Sequence, residues 1–383
     1  MCADFGISDE NWIGYIIKST IDDFIGLGPL QPLQDDPKVA EIFIDPVGVE
    51  PNGTFITPVA RAEVDGQIVD CPGIDLVSHD EVGRLIGRIA EANRRCDDSF
   101  PEMDATLADG SRVHAAHPKV SPNGWSLNIR KFSKDKLTAE DLLERGAMSE
   151  PMYMFLKSAV KARANFIISG GTGSGKTTML NALSAFIGYN ERVVTIEDTR
   201  ELQLKQRIVI PRVACPPNSE GKGEFTMHEL LVGALRERPD RIVVGECRDD
   251  ETYEMLQAMQ TGHDGSLTTI HANDCAGAFT RIENMILKSQ GNMTMEAIRR
   301  QIGAAIDVVV QVKRWRGGYR RIESITTVGF SDGNVTRNEL FHWEGSPENG
   351  RHVATGYQPA RLKEKILDAD AEYDPRWFEG GVW

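Results

Sequence analysis

Residues 170–177 read GGTGSGKT, a full GxxxxGK[ST] pattern, between the apolar run NFIIS and the helix-like run TTMLNALSAFI. Gly170, Gly171, Gly173 and Gly175, with Thr172 and Ser174 between them, would let successive backbone N–H groups converge on phosphate oxygens. The helix that follows would aim its positive end at the same anion. Lys176 adds a mobile cation for β and γ phosphates, the Thr177 hydroxyl can ligate Mg²⁺, and Thr178 continues the first helical turn. The chemistry expected of this segment is binding and hydrolysis of ATP with Mg²⁺.

Hydrolysis also needs a carboxylate to orient water, and RIVVGE places Glu246 just after an apolar strand. That strand is expected beside the strand leading into the glycine loop, where open α/β sheets bind ligands. Gly245 stands where a magnesium-holding Asp would be usual, so the metal falls to Thr177, phosphate and acids elsewhere. Glu197, Asp198 and Glu201 in TIEDTREL are the candidates. His263 and His271 bracket GHDGSLTTIH at opposite ends of a short strand, and histidine can hydrogen-bond a phosphate oxygen or report its loss. A metal site from His263, Asp264, His271 and Cys275 is the alternative, although the spacing matches no common zinc pattern.

Two arginines attract notice upstream. Asn123-Gly124, between SRVHAAHPKV and WSLNIRKF, signals a hairpin that puts Arg112 and Arg130 on neighbouring strands. Their guanidinium groups suit a γ-phosphate transition state, and surface ion pairing is the other reading. Downstream, Lys313, Arg314, Arg316, Arg320 and Arg321 flank Gly317-Gly318 with Trp315 and Tyr319 interleaved. Such a hairpin is either a solvated charged loop or a contact for lipid headgroups or nucleic acid.

The elements that must position these groups fall into two sets. Residues 1–137 are rich in short β-like runs and turns and read as a smaller α+β domain; 138–149 read as a linker opening on helix starts at Thr138 and Ser149; 150–383 form the second domain. There, strand and helix alternate from NFIIS to SLTTIHAN, which implies an α/β fold with a mainly parallel sheet covered on both faces. Residues 307–343 read as a closing β meander with turns at Gly317-Gly318 and Asp332-Gly333-Asn334.

Composition narrows the functions. The 383 residues carry 43 Lys and Arg against 57 Asp and Glu, a net charge of −14, so a tightly bound nucleic acid partner is not expected. The six cysteines, Cys2 among them, form no CxxC pair, which suits a reducing compartment better than a secreted disulfide framework. The start, MCADFGISDENW, lacks a signal peptide's basic and apolar regions, and no apolar run is long enough to span a bilayer. Work at a membrane would be done from the side.

With GGTGSGKTTMLNAL, VVTIEDTREL, ALRERPDRIVVGECR and MLQAMQTGHDGSLTTIHAN in that order, the chain resembles the type II/type IV secretion ATPase superfamily, most of all its Tad/Flp pilus assembly branch. The likeness runs from GLGPLQPL and DATLADGSRVHA to about residue 361. It implies a RecA-like P-loop ATPase domain, a homohexameric ring with nucleotide between the two domains, and an inner-membrane platform protein as partner at the cytoplasmic face. By motif it implies Lys176 and Glu246 as catalytic groups, Glu197 to Glu201 as an acidic box, His271 closing a histidine box, and Arg112 and Arg130 as the arginines nearing the γ-phosphate. Cys247 and His117 depart from the family pattern without removing a catalytic group. Rival readings are a conjugative DNA-transfer motor, a nucleotide-gated scaffold ring with little turnover, and a DNA helicase or recombinase on the same core.

Overall fold

The alternating apolar runs assemble into separate sheets. The computed structural model describes residues 10–46, 48–49, 55–56, 58–64, 66–74, 78–90, 95–132, 136–218 and 220–380. Cys2, residues 91–94 of the run SHDEVGRLIGRIAEANRR and most of the polar stretch 133–136 lie outside them. The chain divides into two compact units, residues 1–134 with 217–223, and 135–216 with 224–383.

In the first unit, helices α1 (Glu10–Ile25), α2 (Gln31–Asp35) and α3 (His79–Ile89) accompany β1 (Val39–Asp45), β2 (Gly48–Val49), β3 (Phe55–Ile56), β4 (Val59–Val64), β5 (Gln67–Asp70), β6 (Glu102–Thr106), β7 (Arg112–Ala116) and β8 (Ser126–Arg130). Six strands form an antiparallel sheet ordered β5-β4-β1-β8-β7-β6; β2 and β3 pair separately. Period-two alternation puts Ile42, Ile44, Val113, Ala115, Leu127 and Ile129 on one buried face. Val82, Leu85 and Ile86 of α3 join the same core, each worth ~1.5–3 kcal/mol when fully buried. Ser78 starts α3 by accepting a hydrogen bond from the Glu81 amide.

The second unit contains α4 (Ala139–Glu144), α5 (Glu150–Lys161), β9 (Phe166–Gly170), α6 (Lys176–Ser184), β10 (Arg192–Glu197), β11 (Ile208–Val213), α7 (Met227–Ala234), β12 (Arg241–Val244), α8 (Glu251–Gln260), β13 (Leu267–His271), α9 (Cys275–Ser289), α10 (Met295–Ala305), β14 (Val308–Arg314), β15 (Arg320–Ser331), β16 (Asn334–Glu344), β17 (Arg351–Ala354) and α11 (Ala360–Asp368). Its nine strands run in the order β11-β10-β12-β13-β9-β14-β15-β16-β17. Pairs from β11 to β14 are parallel and those from β14 to β17 antiparallel, so the closing meander extends the central sheet.

Both faces of this sheet are covered, as the apolar runs require. Phe166 and Ile168 point into a core with α5, α6 and α11, whereas Ile167 between them joins α7, α8, α9 and α10 on the other side. Thr138 and Thr226 open α4 and α7 with capping boxes to Asp141 and Glu229. Two polar locks set the strand starts. The buried Asn165 amide donates to the Met259 and Ala305 carbonyls and accepts from the Gly265 and Ser266 amides, and its own N–H donates to Asp307. That places the beginnings of β9, β13 and β14 with one side chain. Arg241, 1% exposed, forks onto both Glu191 oxygens at 2.9 and 3.0 Å and donates to the Val160 carbonyl, fixing the start of β12.

Two expectations are corrected and one strand is added. The strand carrying RIVVGE does not adjoin β9: β13 lies between them, so His271, not Glu246, sits on the neighbouring strand. Asn123-Gly124 does not make a two-residue hairpin turn, because the pairing Ala116 with Ser126 leaves a longer loop between β7 and β8. There Gly124 has φ 133°, and a Cβ on it would collide with the His79 ring. The segment RIVIPRV forms edge strand β11, unexpected because Pro211 interrupts the run; an edge is where a strand tolerates proline. Among the described residues no helix is long and apolar enough to cross a membrane.

Candidate active site

The fully buried strand β9 delivers the chain to Gly170, where a Cβ would lie 2.4 Å from Ser174 Oγ and 2.6 Å from the Val312 carbonyl oxygen. Only glycine fits there. Ser174 Oγ then donates to the Gly171 carbonyl at 2.9 Å, closing the loop on itself. Gly173 (φ 67°) and Gly175 (φ 95°) take the left-handed conformation that turns successive amides inward. Helix α6 starts at Lys176 behind Gly175 with no side chain capping its first amides, leaving them for an anion. Lys176 Nζ donates to the Gly171 carbonyl at 3.1 Å, so its charge lies across the loop. Thr172 is exposed, and Thr177 and Thr178 are half-buried on the first turn.

Parallel pairing brings the other groups to the same end of the sheet. His271 is the register partner of Gly170 across β13 and β9, Glu197 ends β10, and Glu246 follows β12. Buried Glu197 accepts the Glu201 and Leu202 amides on Oε1 at 2.8 and 2.9 Å, which anchors the turn after β10. It also accounts for Gly245, since a Cβ there would lie 3.2 Å from Glu197 Cγ. The space beside Gly245 is taken by the side-chain methylenes of Glu197 from the adjacent strand.

Glu246 is held by Arg248, whose Nη2 donates to Oε2 at 2.8 Å and whose Nη1 lies 3.2 Å from Asp198 Oδ2. Bonding to Glu246, with the fields of Glu246, Asp198 and Glu201, raises the Arg248 guanidinium further above its ordinary value against the cost of burial. His271 is pushed below its ordinary value by burial first and by the Lys176 charge next, with Glu246 opposing. Neutral imidazole is therefore the favoured form beside the loop, and such a ring can donate one hydrogen bond and accept another. Cys247, in the GExR stretch, is buried against Thr268 Oγ1 at 3.2 Å, and burial lifts its thiol strongly, which removes it from chemistry.

Not every candidate gathers here. His263 precedes β13 at its opposite end, where its carbonyl accepts from Ser266 Oγ at 2.7 Å. Among the described residues no group of three His, Cys, Asp or Glu side chains comes together to hold a metal, so His263, Asp264, His271 and Cys275 form no such site. Arg112 and Arg130 belong to the first unit, where they are direct cross-strand partners on β7 and β8. Ser111 sets this register: its Oγ donates to Asp109 and accepts the Phe132 amide at 3.1 Å.

Residues 86–317 match the family model described as type II/IV secretion system protein. The chain belongs to that family. Members are ATPases, and this secretion-family chain is a P-loop ATPase with a RecA-like sheet. A putative conjugal transfer protein of Mycobacterium tuberculosis is 33% identical over 83% of this chain and 88% of its own length. An uncharacterized protein of Methanocaldococcus jannaschii is 48% identical over 50% of this chain, and the matched part is 28% of that relative. In fold, the chain matches the pilus retraction motor PilT with bound ADP at TM-score 0.56, covering 82% of each chain at 19% identity.

Some residues around the secretion ATPase site escaped reading from sequence. Arg248 carries a usable signal, since an arginine two residues after a strand-end glutamate can fold back onto it. Asn165 carries none, because its four hydrogen-bonding partners come from three distant segments. Arg314 and Arg320 stood out as members of a basic hairpin, but not as neighbours of the glycine loop.

Proposed function

We propose that the chain hydrolyses MgATP at the carboxyl ends of β9, β10, β12 and β13, as one subunit of a homohexameric motor powering pilus assembly or protein secretion across the inner membrane. The carrying observation is the convergence at one sheet end of the glycine loop, Glu246, Glu197 and His271. Loop amides and Lys176 grip the phosphates, Glu246 aimed by Arg248 polarises the attacking water, and neutral His271 reads the γ-phosphate. Magnesium keeps most of its waters and needs few protein ligands: Thr177 would hold it, with Glu197 and Glu201 behind through water. Arg112 and Arg130, brought together as register partners, are assigned to neutralising charge on the γ-phosphate.

The closest functional context we assign is the Tad/Flp pilus branch, with a membrane platform protein as partner at the cytoplasmic face. The conjugal-transfer relative favours a second reading, in which the same motor serves DNA transfer. Deleting the gene separates them: loss of surface pili or export with intact DNA transfer supports the first, and the reverse supports the second. Turnover of purified protein, with Lys176→Ala as control, tests hydrolysis itself. Nucleotide binding without turnover, even with membrane partner present, would leave only the scaffold ring.

A further inference from the structure

The basic hairpin between β14 and β15 is delivered by the fold to the phosphate loop. Strand β14 runs parallel to β9 with Val312 opposite Gly170, so hairpin and loop leave the sheet side by side. Arg320 Nε donates to the Gly173 carbonyl at 2.8 Å. Arg314 Nη1 lies 3.1 Å from where a Cβ on Gly173 would stand, and Arg320 Cδ lies 3.8 Å from the equivalent point on Gly175. Two guanidinium-bearing side chains thus lie along the two left-handed glycines of the loop.

The remaining cations have different commitments. Lys313 is paired with Glu323, and Arg321 donates to the Gly146 carbonyl at 2.6 Å while stacking on Trp343. Arg316 stands exposed beside the turn at Gly317 and Gly318. Arg314 and Arg320 therefore stand beside the same loop as Lys176, where guanidinium groups are suited to polyphosphate oxygens.

We propose that Arg314 and Arg320 are nucleotide-site residues, forming a second cationic wall for the polyphosphate of an adenine nucleotide. Arg320 is also a positioning residue, because fixing the Gly173 carbonyl fixes the direction of the amides that follow. This rests on the nucleotide-site reading above.

The test is calorimetric titration of MgADP into the full chain and its Arg320→Ala, Arg314→Ala, Arg316→Ala and Lys176→Ala variants at several NaCl concentrations. All three arginines are exposed, and unchanged thermal unfolding without nucleotide confirms intact folding. The expected result is about tenfold weaker binding for R320A, the size of one charge-assisted hydrogen bond. R314A should lose a smaller factor, and R316A should stay within about twofold of the parent. Binding by R320A and R314A should depend less steeply on salt, which mere disturbance of the loop would not produce. Parental affinity in both variants overturns the proposal, and so does weakened binding with parental salt dependence. A parent that binds no MgADP removes the underlying nucleotide-site reading instead.

Discussion

Arg248 reaches back two residues to hold Glu246 at 2.8 Å, and with its other terminal nitrogen it approaches Asp198 at 3.2 Å. One planar cation therefore ties the ends of β12 and β10 together through their acidic groups. A lysine cannot span both carboxylates in this way.

The first prediction concerns that tie. Arg248→Ala should lower kcat by about 100-fold, the cost of misplacing a catalytic group by an ångström, while KM for MgATP changes little. Arg248→Lys should recover only part of the loss. Steady-state ATP hydrolysis checks both, and a rise in KM at constant kcat would assign Arg248 to substrate binding.

Gly245 yields the second. Because Glu197 Cγ would lie 3.2 Å from a Cβ at this position, Gly245→Asp should not restore a metal ligand. It should push two carboxylates together and cost about 1–3 kcal/mol of stability by overpacking. Denaturant unfolding with and without magnesium measures this; an increase in stability with magnesium would contradict the packing explanation.

The third concerns Asn165, which is 2% exposed and saturates its side-chain hydrogen bonds. Asn165→Ala strands several buried backbone groups at about 1–3 kcal/mol each, so a loss of several kcal/mol is expected. Asn165→Asp replaces a donor pair by acceptors facing two carbonyls and should be no better. Urea unfolding of the second unit's fluorescence or dichroism reads the effect.

The parallel core was legible in the sequence because its strands are short apolar runs with helical patterns between them, and the glycine loop was legible because its spacing has a chemical reason. Strand order was not. Nothing local in RIVVGE says that SLTTIH will insert between it and NFIIS; that choice is made by long-range contacts such as those of Asn165. The loop after β7 misled for a related reason: Asn123-Gly124 has the dipeptide of a tight turn, but His117 and Ser121 already fold the preceding residues into turns. The hairpin signal still placed Arg112 and Arg130 on neighbouring strands, but their direct pairing was not legible, because register depends on a turn that is longer than the dipeptide implies.

Acid should weaken the closing meander through His352. Burial, aided by the Arg321 charge and opposed by the bond to the Ile322 carbonyl, lowers this imidazole to about 4. Its folded value lies below the unfolded one near 6.5, so the unfolded chain binds the proton first as pH falls. Stability is complete above about pH 6.5 and falls toward pH 4 by about 3 kcal/mol from this group. His352→Gln, which can still donate to the carbonyl but does not titrate there, should flatten this part of the stability–pH curve. An unchanged slope in the variant would show that other groups set it.

The central claim is that a nucleotide is gripped by the loop at residues 170–177 and split by water that Glu246 prepares. Single-turnover hydrolysis of MgATP, with bound nucleotide quantified on the same samples, tests it most directly for the parent, Lys176→Ala and Glu246→Gln. The account predicts that Lys176→Ala fails to retain nucleotide, whereas Glu246→Gln retains it and hydrolyses it at least ~100-fold more slowly than the parent. Parental hydrolysis by Glu246→Gln, or undiminished nucleotide retention by Lys176→Ala, would contradict it.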